Sequence, residues 1–427
     1  MFPTTLLTTL LLVLSVAANP VLVDRSPVTL QLSRRLNLTS VHNLVRHDQA
    51  RAKALKAKGT VKHDSRAVIN EQVDNQAVTY IASVGVGSPA TTYDLLIDTG
   101  SSNTWIGASK AYVKTSTSTQ TSNKVSVTYG SGSFSGTEYT DQVALASGLV
   151  ISKQSIGVAS TASGFSGVDG ILGIGPVDLT RGTLSPATTT LVPTVTDNLF
   201  SQGTISANEI GISFEPTMAS EALNGELTWG GTDSSKFTGS ITWVPITSTS
   251  PASLYWGINQ SVRYGPSTTI LSTTAGIVDT GESTFLPNAN ITRADCCLNI
   301  GTTLVLLATD GYNRYKSATG AVLDSATGLL RITSTQFSNL QSLFFTAGGT
   351  TFELTANAQL WPRSLNSDIG GTSGRIYLIV NDLGSNSGQG LDFINGYAFL
   401  ERFYSVFDTT NKRVGLATSP FTTSTTN

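Results

Sequence analysis

Cysteine is nearly absent. The 427 residues hold two, Cys296 and Cys297, and they are neighbours. Adjacent cysteines close only a strained ring, so no disulfide framework can staple distant segments. A zinc site in the body is excluded too, because no histidine or further cysteine is there to complete it. Histidine is as scarce: His42, His47 and His63 are the only three. A Ser-His-Asp or Cys-His mechanism is therefore excluded from everything after residue 63. Charge is thin as well, at 13% of residues. No segment is apolar over the roughly twenty residues a membrane helix needs; the run Leu6 to Val16 is too short.

What is there is Gly, Ser and Thr in quantity, the composition of a mostly β protein with many turns. The length exceeds one usual domain and predicts two lobes. Leu6 to Val16 followed by Val16-Ala17-Ala18 reads as a signal peptide over residues 1–18, although no Lys or Arg precedes it. The next segment, 19–66, holds ten of the 26 Lys and Arg, three of the 28 acids and all three histidines. That leaves 16 bases against 25 acids elsewhere, a net charge of −9. A basic leader on an acidic body suggests a propeptide held partly by charge, with Leu44, Val45, Ala52 and Leu55 hinting at an amphipathic helix. A solvated linker is the alternative. A new N-terminus is expected near Ala67.

The chain is organised around Leu95-Leu96-Ile97-Asp98-Thr99-Gly100-Ser101-Ser102-Asn103-Thr104-Trp105. An apolar strand delivers one carboxylate into a turn of Thr, Gly and Ser, whose hydroxyls can bond to it. The pattern recurs as Ala275-Gly276-Ile277-Val278-Asp279-Thr280-Gly281. Two such turns face to face would bring two aspartates to one site, where they must share a proton.

Further motifs fall around these turns. Val125 to Gly136 reads as a hairpin with a glycine-softened tip at Tyr129-Gly130-Ser131-Gly132. Val168-Asp169-Gly170-Ile171-Leu172-Gly173 aligns without gaps on Leu391-Asp392-Phe393-Ile394-Asn395-Gly396, so each half carries an Asp turn and then an apolar strand ending in Gly. That is an internal two-fold repeat. The boundary between halves is expected near Pro245 to Pro251, which gives an N-terminal lobe over 67–245 and a C-terminal lobe over 246–427.

From about Val78 to Ala417 the chain resembles the pepsin-like aspartic proteases, most closely the secreted fungal acid proteases. The resemblance implies an all-β bilobal fold with a cleft between the lobes, and hydrolysis of peptide bonds at acid pH by Asp98 and Asp279. It implies that Tyr129, Gly130, Ser131 and Gly132 form a flap over the peptide, with Trp105 hydrogen-bonded to the tyrosine. Thr99 and Thr280 would tie the two turns together, supported by Gly100 and Gly281. Ser101, and Thr302 if residues 282–301 are absent, would orient the carboxylates, and Asp169 and Asp392 would be structural. The leader would lie across the cleft as an intramolecular inhibitor and leave in acid, with the histidines as a weaker candidate trigger. Substrates would be peptides and proteins. No cofactor or metal is implied, no nucleic-acid or membrane partner is expected, and the product is expected as a secreted monomer, vacuolar residence being the lesser alternative.

One stretch departs from the family. After Gly281 the family runs on through small residues into an apolar strand, but here Glu282 to Gly301 intervenes before Thr302-Thr303-Leu304. Removing 282–301 restores the pattern, and both cysteines go with it. The stretch reads as a retained intron. A genuine surface insertion is the competing reading, and with it a catalytically inactive homologue that binds peptides or proteins.

Overall fold

The computed structural model describes residues 27–36, 43–58, 78–129, 132–280 and 303–426. The expected signal peptide, His42 and His63, the expected processing region near Ala67, the expected flap-tip residues Gly130 and Ser131, and Gly281 to Thr302 with both cysteines lie outside the described residues.

Two large sheets dominate, as the low charge and abundant turn residues lead one to expect of an all-β chain. Strands β1 (Val28–Leu36), β2 (Val78–Val86), β3 (Thr91–Asp98), β4 (Thr104–Ile106), β5 (Thr119–Thr128), β6 (Ser133–Ala146), β7 (Leu149–Ser163) and β8 (Gly170–Gly173) all belong to a fourteen-stranded sheet. After Pro245 the chain leaves this sheet and enters a seven-stranded one through the strand Gly257–Tyr264. The last two strands, Phe403–Asp408 and Arg413–Thr418, return to the large sheet beside Glu209–Phe214 and Thr238–Pro245. Of the few helices, Val195–Ser201 starts at Thr194, whose hydroxyl accepts from Asp197 N–H in a capping box.

The internal repeat is visible in the strand pairing. β3 runs parallel to β8, with Leu96 opposite Ile171 and Asp98 opposite Gly173, and β4 packs antiparallel on the other side of β8. In the second half, Thr268–Val278 runs parallel to Phe393–Asn395, with Ile277 opposite Ile394, and Val305–Leu307 lies antiparallel on its far side. Ile171 and Ile394 thus occupy equivalent places, and each half ends a strand on an aspartate in the same way. Gly173 has a steric reason: a Cβ there would come within 2.7 Å of the Ser102 and Asn103 main chain.

The basic leader is ordered where it is described. β1 is an interior strand, paired on one edge with β2 and on the other with Glu221–Trp229. Its Arg34 is buried and donates to Glu401 at 3.0 Å, and Arg35 pairs with Asp94 at 3.2 Å. Helix α1 (Asn43–Lys58) follows, and it buries Leu44, Val45, Ala52 and Leu55 in the main core. Positions 44, 45, 52 and 55 lie one, seven and three residues apart, which puts them on one helix face.

Candidate active site

Asp98 and Asp279 sit at equivalent strand ends and both are buried. The first turn is built from its own residues. Gly100 N–H donates to Asp98 Oδ1 at 2.8 Å, and the Ser101 hydroxyl donates to Oδ2. A Cβ on Gly100 would lie 2.5 Å from Arg51 Nη2, 2.9 Å from Asp279 Oδ1 and 3.3 Å from Asp98 Oδ1, so glycine leaves the room these groups occupy.

The two turns are tied across the lobes. Thr280 N–H donates to Thr99 Oγ1 at 2.8 Å, and Thr99 N–H donates to Thr280 Oγ1 at 3.1 Å. Each main chain is thereby held by the other loop's side chain.

Between the carboxylates lies Arg51 of α1, fully buried. Its Nη2 is 2.5 Å from Asp279 Oδ1 and 3.5 Å from Asp98 Oδ1, and its Nε donates to Asp279 Oδ2. One guanidinium therefore engages both aspartates, with the fork geometry that suits a carboxylate. Burial pushes the Asp98 carboxyl up to about 7; Arg51 pulls it down, Asp279 pushes it up, and the Ser101 and Gly100 donors pull it down.

One turn before Arg51 on the same helix, Asp48 is also buried. It accepts from Leu304 N–H at 2.7 Å and Thr303 N–H at 3.2 Å. Burial raises it to about 7, against the opposing pull of those two N–H groups and of Arg51. Neither Asp48 nor Arg51 is singled out by composition or by the family motifs. The available signal was their position: both fall on the stripe that carries Leu44, Val45, Ala52 and Leu55, where a charged pair is out of place unless something meets it.

At the end of β5 in the β5–β6 hairpin, Tyr129 has its ring buried and its N–H bonded to Gly132 O at 2.7 Å. The expected indole–tyrosine hydrogen bond is not made. Among the described residues Trp105 Nε1 has no acceptor. The Trp105 ring instead stacks on Phe134 at 4.2 Å and takes the edge of Phe165 at 4.7 Å, with Tyr129 6.3 Å away. Three aromatic neighbours settle the indole by ring packing rather than by its N–H. Gly132 is likewise needed for a contact inside the hairpin's own sheet, since a Cβ would clash with the Ser163 carbonyl.

Asp169 and Asp392 stand away from the pair and serve the backbone. Asp169 accepts from Asp94 N–H at 3.0 Å, and Asp392 accepts from Gly388 N–H at 2.7 Å and Gln389 N–H at 3.1 Å. No cluster able to hold a metal ion occurs among the described residues.

Comparison with known proteins places this geometry. The family model for eukaryotic aspartyl proteases matches residues 79–294 and 287–419, two segments that overlap over 287–294, inside the 282–301 stretch. The chain is 69% identical to polyporopepsin of Irpex lacteus over 353 residues, 83% of this chain and 98% of that protein. It is 34% identical to rhizopuspepsin-1 of Rhizopus niveus over 69% of this chain and 70% of that one. It is 28% identical to pepsin A of Sus scrofa over 82% of this chain and 83% of that one. The crystal structure of the Irpex lacteus aspartic proteinase superposes with a TM-score of 0.75, covering 82% of this chain and 96% of that one. The reading as an inactive peptide binder gains no support from these relatives.

Proposed function

The chain belongs to the eukaryotic aspartyl protease family, and from that membership we propose that Asp98 and Asp279 are the catalytic pair of its endopeptidase activity. The enzyme is an aspartic endopeptidase of pepsin-like fold. Once the cleft is clear, one ionised carboxylate takes a proton from a water between the pair, and the water oxygen attacks the scissile carbonyl carbon. The other carboxyl, protonated, donates to the carbonyl oxygen and stabilises the tetrahedral intermediate. A proton then passes to the amide nitrogen, the C–N bond breaks, and the amine leaves. The pair titrates as a unit. Ser101 and Gly100 orient Asp98, and Thr99 and Thr280 hold the two turns in register. Tyr129 covers the peptide.

The observation that carries this reading is the single Arg51 guanidinium shared by Asp98 and Asp279. The same observation supports the leader as an intramolecular inhibitor, with Arg51 standing where the scissile bond would lie, in a precursor secreted and processed near Ala67. Residues 282–301 are best read as absent from the working enzyme. The test is peptide cleavage at acid pH by the processed protein, by Asp98→Asn and by Asp279→Asn. Cleavage by the unaltered protein that a statine-type inhibitor stops, and that either variant loses, is expected; a fully active variant would remove that residue from the pair.

A further inference from the structure

Helix α1 makes a second charged contact, away from the aspartate pair. Lys56 is partly buried, and its ammonium donates to Ser385 Oγ in the loop between Asp382 and Asp392. Helix and loop are also joined by Gln49 Nε2, which donates to Asp382 O at 2.9 Å.

The loop is rigidly built. Asp382 Oδ1 accepts from Thr309 Oγ1 at 2.6 Å and Gly384 N–H at 2.8 Å. Asp310 accepts from Ser387 N–H at 2.8 Å, Asp392 holds Gly388 and Gln389, and Ser385 O accepts from Thr309 N–H at 2.9 Å. Three carboxylates thus surround a loop of small residues, and Asp310 is the one of them with an arginine, Arg314, at 3.0 Å. Among the described residues Asp382 Oδ2 takes no hydrogen bond. Burial lowers the Lys56 pKa, while the charges of Asp392 and Asp382 hold it up. The bonds that build the loop, from Thr309, Gly384, Ser387, Gly388 and Gln389, involve no residue of the helix, so the seat stays built when the leader is gone.

The seat also lies at a useful distance. Lys56 is five residues beyond Arg51, or about 7.5 Å along a helix. An extended peptide covers that in two to three residues.

We propose that the Ser385 seat is a substrate subsite for a basic side chain, lysine or arginine, two or three residues from the scissile bond, with Ser385 Oγ as acceptor and Asp382 as counter-charge. Lys56 occupies it in the precursor as a stand-in for that side chain. The proposal rests on the cleft being the peptide site, as above. It separates two requirements: the aspartate pair cuts any peptide, and the loop ranks peptides by charge at one position.

The test uses the acid-processed enzyme at pH 5 and low salt, with peptides that carry lysine or its uncharged near-isostere norleucine at each of the three positions on either side of the scissile bond. One position should favour lysine by roughly tenfold in kcat/KM. In Asp382→Asn and in Ser385→Lys the ratio of lysine to norleucine rates at that position should fall to near one. Ser385 lies on an exposed loop, so the second variant stands if the first fails to fold. A peptide of residues 43–58 should likewise inhibit about tenfold less well with norleucine at 56, which reads the seat without turnover at that position. Equal rates for lysine and norleucine at every position, or a preference that survives both variants, would overturn the subsite while leaving the protease intact. Failure to cut any peptide would overturn the protease reading and this one with it.

Discussion

Thr99 and Thr280 hold each other's backbone across the lobe boundary, at 2.8 and 3.1 Å, with both side chains buried. The aspartate pair depends on this exchange more than on either lobe alone. Thr280→Ala would leave Thr99 N–H buried without its Oγ1 acceptor. Such a loss costs about 1–3 kcal/mol. Urea titration should show a lower midpoint, and kcat should fall with KM little changed, because the pair loses its spacing and the peptide pockets do not.

Replacing Arg51 should act on the leader's hold. Arg51→Gln leaves two buried carboxylates without their cation, and breaking such a pair costs about 3–5 kcal/mol. The full-length protein should then cleave a fluorogenic peptide near pH 6 without acid pretreatment, while the unaltered full-length protein should not. If the variant is as silent as the parent, Arg51 does not hold the cleft closed.

Asp48 titrates in the unexpected direction. Its docked value is raised from 3.8 to about 7, so docking takes up a proton between those limits. Through this group alone, leader affinity grows as pH falls from about 7 to 4, by up to about tenfold per unit, and is flat below. Any release of the leader in acid has to overcome this contribution from Asp48. In Asp48→Asn, inhibition by a peptide of residues 43–58 should lose this strengthening between pH 7 and 4; an unchanged profile would rule Asp48 out as its source.

Glu138 predicts how the folded protein responds to alkali. Burial raises it from 4.5 to about 7, with the Ser155 hydroxyl opposing. Its stability contribution is complete below about pH 4.5 and is lost as pH rises through 7. That is worth about 3 kcal/mol. Glu138→Gln should raise the thermal midpoint at pH 7.5 and leave it nearly unchanged at pH 4.

The 282–301 stretch can be tested by deletion. Asp48 binds Thr303 and Leu304, and Arg51, one turn on, binds Asp279. One helical turn thus holds the chain on both sides of the stretch. Gly281 and Thr302 alone can span a gap of that order, at about 3.3–3.6 Å per residue. The deleted protein should fold with an unchanged midpoint and cleave peptide, and transcript sequencing should join codon 281 to codon 302.

The local part of this site was legible in the sequence because short-range chemistry fixes it. Asp98 with Gly100 and Ser101, and the equivalence of Ile171 with Ile394, depend on glycine placement and strand periodicity within a few residues. Arg51 and Asp48 were not legible as individuals, since their partners lie 228 and about 255 residues away. Charge counting marked the basic segment 19–66 but could not choose among its ten bases. Trp105 shows the opposite limit: the residue is buried beside Tyr129, but Phe134 and Phe165 decide what its ring touches.

β1 carries one more consequence. It fills an interior slot between β2 and Glu221–Trp229, so cutting the leader away opens two strand edges at once in the middle of the largest sheet. Open edges recruit strands. On the proposal that the chain is cut near Ala67, the processed molecule would have to refill a gap of about nine residues from its own chain or draw on a neighbour's, a race between self-repair and oligomerisation that protein concentration would decide.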